Sequence, residues 1–186
     1  DNINKSDTLY DLAQFNKLIA QYTAKYYKDV LETASKLINE ESSYAHEVCF
    51  YKIKALIELK KYEKALNSID LSSNLFPLHK FRFEYLKAIM FKGQAKYEEA
   101  KKLLQSILIQ HPYHSASHLL LAKLMGEEGA EAQAVLGFQM AIISNRNSVS
   151  LRPAFSGMTD VMRGNFEMNR EKDDVDNFKK INSLIT

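Results

Sequence analysis

The sixteen residues YEKALNSIDLSSNLFP, positions 62–77, are followed 35 positions later by YEEAKKLLQSILIQHP, positions 97–112. The two phrases share the opening Tyr and Glu, an Ala three places after the Tyr, and the closing Pro. A repeat of this length means that each copy is one structural unit and that the shared letters are its joints. In the first copy, apolar or small residues fall at Tyr62, Ala65, Leu66, Ile69, Ser72 and Ser73, the spacing of one helix face. Moving back 35 residues gives Tyr27, Val30, Leu31, Ala34, Leu37 and Ile38; moving forward gives Tyr97, Ala100, Lys101, Leu104, Ile107 and Leu108. A further 34 residues on, the offsets fall at Glu131, Ala134, Val135, Phe138, Ala141 and Ile142.

Other apolar-rich segments, Leu9–Thr23, Tyr44–Lys60, Lys80–Lys92 and Ser115–Glu128, lie between these helices, so the unit is a helix pair. The pattern predicts pairs over about 9–42, 44–78, 80–114 and 115–146 within a single domain, 1–186. Glycine and proline are scarce, every Gly lies at or after position 93, and no alternating strand pattern competes. Beyond 146 the template fails. Arg152, Pro153 and Gly164 fit helix boundaries, predicting capping helices in 147–186. One is near 153–163 and a more polar one near 171–185, with Val175, Phe178, Ile181 and Ile185 on a face.

At these residues the chain resembles the tetratricopeptide repeat (TPR) family, in which a Tyr opens the second helix, an Ala follows at the helix crossing and a Pro ends the unit. Tyr62, Ala65, Pro77 and Tyr97, Ala100, Pro112 carry the resemblance. It implies an all-α, right-handed superhelical solenoid of antiparallel helix pairs. The small Ala65, Ala100 and Ala134 suit close helix approach, and Pro77 and Pro112 suit helix ends. In the first helices the bulky and small positions are expected at Cys49 and Ile53, then at Glu84 and Ala88. Gly93, four residues before Tyr97, predicts an extra residue in that turn.

Twenty-five basic and 23 acidic residues leave a charge of only +2, not the excess of a dedicated nucleic-acid binder. An RNA-reading helical array is the rival that the period allows, and Glu58, Glu63, Glu84, Glu98 and Glu99 would oppose its phosphate track. No nucleotide, hydrolase or cofactor motif occurs, and a single cysteine makes neither an internal disulfide nor a Cys-based zinc site. His111, His114 and His118 lack the Glu of a zinc-protease helix. They are expected to flank the turn at Pro112 and to pack in the next helix. Cys49 shares a face with Ile53 and Leu56 and is expected in the core. The sequence thus predicts no catalysis, no metal and no cofactor. No apolar run approaches the ~18 to 20 residues that span a bilayer. The first residue, Asp1, suggests a processed or truncated chain, and the compartment stays open.

The resemblance implies a scaffold that binds a protein or peptide on the concave surface lined by the first helices. Carried onto this chain, the contact positions are Phe15, Ile19 and Tyr22; Phe50, Lys54 and Ile57; Arg82, Tyr85, Ile89 and Lys92; Leu119, Lys123 and Glu127. Chaperone-binding members clamp a terminal carboxylate with Lys and Asn. The corresponding positions of the earliest repeat here read Phe15 and Ile19, so the resemblance does not carry that activity. Lys52, Lys54, Lys60, Lys61 and Lys64 read as a solvated face with Glu58 and Glu63 nearby. Self-association through a terminal repeat, or service as a recruitment or sensory domain of a larger enzyme or membrane-anchored assembly, are the remaining expectations.

Overall fold

Helices alternate with short turns along the chain: α1 (Thr8–Thr23), α2 (Tyr27–Asn39), α3 (Ala45–Glu58), α4 (Tyr62–Leu75), α5 (Lys80–Gly93), α6 (Tyr97–Gln110), α7 (Ser115–Glu127) and α8 (Glu131–Ser144). This is a computed structural model, and it describes residues 8–144, 153–154 and 156–163. The two last stretches are also helical, where a helix near 153–163 is expected. The helix expected near 171–185, and the boundary at Gly164, lie outside the described residues. Among the described residues there is no strand, and no helix is long and apolar enough to cross a membrane.

Packing divides the chain into two compact units, Asp1–Leu103 and Leu104–Thr186. In the first, α1 packs on α2, α3 on α4, and the first helices α1, α3 and α5 lie side by side. In the second, α7 packs on α8.

The six-offset stripe is the buried face of every second helix. Val30, Ala34 and Leu37, then Ala65, Ile69 and Ser72, Ala100, Leu104 and Ile107, and Ala134, Phe138 and Ala141 are all buried. The flanking offsets are half-buried, apart from Tyr97, which is 42% exposed. A close approach of α7 and α8 lies one turn beyond the expected Ala134: a Cβ on Gly137 would stand 2.8 Å from the Cβ of Ala122.

The first helices keep the expected small position, Ile53 and Ala88, and correct the bulky one. Leu18, Ile53, Ala88 and Ala122 are buried at one common position. The bulky buried position is Val48 and Phe83, one residue before Cys49 and Glu84; Glu84 is half-exposed beside Lys80, 3.6 Å away. A charged side chain with a solvent-side partner stays at the surface, while the aromatic ring beside it takes the core.

The elbow inside each pair is the same structure four times. Lys25, Lys60, Ala95 and Gly129 adopt left-handed backbone, with φ of 63°, 56°, 59° and 80°. Around each, two backbone bonds close the helix end: Tyr26 N–H donates to Gln21 O at 2.9 Å and Lys25 N–H to Tyr22 O at 3.0 Å. Lys61 to Leu56, Lys96 to Phe91 and Ala130 to Met125 repeat the bond that spans five residues, a Schellman ending. Each left-handed residue stands two places before the first residue of the next helix, so the turn after Gly93 contains no extra residue. The added residue that separates a 35-residue spacing from a 34-residue one lies instead after the proline. There, a 3-10 turn, Pro77–His79, leads directly into α5.

Candidate functional site

Residues 35 apart on α1, α3 and α5 occupy equivalent places on helices that lie side by side, so the i, i+4, i+7 stripe of each adds to one face. That face is aromatic. The ring of Phe15 stacks flat on Tyr44, centroids 4.8 Å apart and planes 2° apart, and meets the edge of Tyr51 at 6.2 Å. Tyr51 also stands edge-on to Phe50 at 6.1 Å and to Tyr22 at 5.4 Å, and Tyr22 tilts against Tyr27 at 5.6 Å. Edge-to-face and offset contacts set the positive rim of one ring against the negative face of another, which locks their orientations.

Two cations sit on these rings. The Lys54 ammonium is 4.3 Å from the centroid of Tyr22, 5.3 Å from Tyr51 and 5.7 Å from Phe50. The Arg82 guanidinium is 4.8 Å from Phe50. Burial lowers the Lys54 pKa, with the Glu58 carboxylate opposing it. The Tyr22 phenol is pushed up to about 12, first by burial and then by Glu58, Tyr27 and Tyr51.

Of the expected contact residues, the structure therefore brings Phe15, Tyr22, Phe50, Lys54 and Arg82 together. Ile19, Ile89 and Lys92 are half-buried on the same helices, and the half-buried Tyr85 has its phenol pKa raised by burial. Ile57 differs: only 8% exposed, it belongs to the core with Leu56, Ala65 and Leu86. The equivalent residues Tyr22 and Lys92 are half-buried and carry polar ends, whereas an isoleucine has none to favour exposure. On α7, in the second unit, Leu119 packs against Ala122, Ala134 and Phe138, while Lys123 and Glu127 are exposed.

Tyr44, Tyr51 and Tyr27 are members of the strip that the helical stripe does not include. Tyr51 is one residue, about 100° of helix, away from Phe50. It joins only because α1 lies against α3. Lys54, which the sequence places both among the contact positions and in the basic cluster, lies on the rings, whereas Lys60, Lys61 and Lys64 are exposed.

Two of the histidines near Pro112 have local partners. His118 Nε2 donates to the Pro112 carbonyl at 2.8 Å, and His114 Nδ1 lies 2.7 Å from the Ser117 hydroxyl. A cleft of about 320 Å³ is lined by Ile69, Asp70, Ser73, Asn74, Lys80, Glu84 and Lys87, with Lys87 3.9 Å from Asp70.

No protein-family model and no curated protein matches the sequence. Solved structures do. MamA from Desulfovibrio magneticus RS-1, residues 41 to the end, superposes with a TM-score of 0.55 at 17% identity, covering 91% of this chain and 99% of its own. A MamA RS-1 double mutant gives 0.54 at 17% identity over the same shares. A tetratricopeptide repeat protein from Parabacteroides merdae gives 0.54 at 16% identity, covering 84% of this chain and 61% of its own. The fold is a TPR-like helical repeat.

Proposed function

We propose that the chain is a protein-interaction scaffold that holds a peptide or protein segment along the first-helix face of α1, α3 and α5, without chemistry of its own. The observation that carries this reading is the strip of half-buried rings and cations from Phe15 to Arg82. Tyr and Arg with large fixed contact areas are the side chains that dominate binding energy at protein interfaces. The TPR-like fold supports the reading, since stacked helix pairs create extended binding surfaces. The corresponding stripe on α7, Leu119, Lys123 and Glu127, is proposed as a contact of the same kind.

The test is an affinity capture from the native lysate with the wild type and with a Phe50→Ala/Tyr85→Ala double variant whose helicity is verified by circular dichroism. The reading requires a partner that the wild type retains and the folded variant loses. Partners held equally by both would move the site to another face.

A further inference from the structure

We propose that this face selects acidic segments, reading Asp and Glu side chains through Lys54 and Arg82. The inference rests on the peptide-binding reading and supplies its chemistry. Lys54 comes from α3 and Arg82 from α5, yet both charges lie within 6 Å of the same Phe50 ring. Among the described residues neither forms an ion pair with a carboxylate. Three lysines elsewhere do: Lys80 with Glu84, Lys87 with Asp70, and Lys101 with Glu98 at 2.6 Å; Glu58 acts on Lys54 only at longer range.

An aromatic face attracts a cation but leaves its N–H donors on the far side unfilled. Two like charges converging on one ring repel each other, and partial burial weakens the solvent screening between them. A carboxylate placed across the pair removes the repulsion and fills both sets of donors, in bidentate fashion at the guanidinium. The rings of Phe15, Tyr22 and Tyr51 beside the pair offer apolar contact, so the fitting segment carries acidic residues next to an aromatic or aliphatic one. A single pair of cations is too few for a phosphate track, which favours a protein segment over a nucleic acid.

Random dodecamers displayed on phage and selected on the immobilised full chain supply the probes. The selected sequences, made as fluorescein-labelled peptides, are titrated by fluorescence anisotropy. Asp and Glu enriched over the input library are expected, and Asn/Gln isosteres of the same peptides should bind about tenfold more weakly. Lys54→Met and Arg82→Met, checked by circular dichroism, should weaken the acidic peptide several-fold and the isostere little. Amidating the peptide C-terminus should change nothing, because side-chain carboxylates are read. Equal binding of acid and isostere, or a requirement for the free C-terminus, overturns acid selection. The peptide-binding reading survives that result if Phe50→Ala/Tyr85→Ala abolishes binding. No enrichment, equal binding by that double variant, or displacement of every peptide by an oligouridine overturns both.

Discussion

The phenol of Tyr62, at the start of α4, donates a 3.1 Å hydrogen bond to the backbone carbonyl of Gly93, the last residue of α5. The tyrosine that opens the repeated phrase thus ties its own helix pair to the first helix of the next. A Cβ added at Gly93 would stand 3.1 Å from the same hydroxyl oxygen. Tyr62→Phe removes the bond and keeps the ring, so a loss of about 0.5 to 1 kcal/mol is expected in urea unfolding. An unchanged midpoint would mean that the ring alone holds the joint.

Gly137→Leu should destabilise the second unit by about 1 to 3 kcal/mol, although leucine is the better helix former by nearly 1 kcal/mol. The added carbon meets Ala122 at its Cβ and, at 3.3 Å, its Cα, so backbone has to move. Urea unfolding with a probe in α7 or α8 reads the sign, and a stabilised variant would contradict the close crossing.

Lys60→Gly should stabilise by roughly 0.5 to 1 kcal/mol, the relief of left-handed backbone exceeding the extra freedom glycine brings to the unfolded chain. Lys60 has φ of 56° and its amide already donates to Ile57 O at 2.9 Å. A lower melting temperature would show that the lysine side chain contributes more than its backbone costs.

His46 stacks on His79, centroids 4.1 Å apart and planes 7° apart. Burial lowers its pKa below the usual 6.5, helped by His79 and Arg82 and opposed by the bonded Glu47. Below about pH 6.5 the unfolded chain then takes up more protons at this site than the folded one, so stability is lost as the pH is lowered. The melting temperature should be lower at pH 5.5 than at 7.5, and His46→Gln should reduce the difference. A slope untouched by the substitution would assign it to other groups.

Cys49 is 9% exposed, and burial raises its thiol pKa despite the Ser72 hydroxyl and Lys52. A disulfide reagent at pH 8 should label it slowly in the native protein and rapidly in urea. Fast native labelling would place the sulfur at the surface.

The second helices were legible because each buries one narrow face, so the contrast between Ala65 or Ile69 inside and Glu63 or Asp70 outside survives in the letters. The first helices were harder to read. Each lies against two neighbours, and Val48, Phe83 and Ser117 fill one repeated place with three unlike side chains. The candidate face was legible as far as single-helix stripes reach, hence Phe15, Tyr22, Phe50, Lys54 and Arg82. Tyr44 and Tyr51 enter through contacts between helices, which no spacing within one segment encodes.

The four left-handed elbows have a consequence for how such a chain can vary. Their geometry resides in paired backbone bonds that a lysine, an alanine or a glycine all satisfy, and each elbow hands the chain on after the same two residues. Segments cut at these points carry interchangeable ends. A chimera that exchanged or duplicated the stretch from one elbow to the next would rejoin without redesign of the splice.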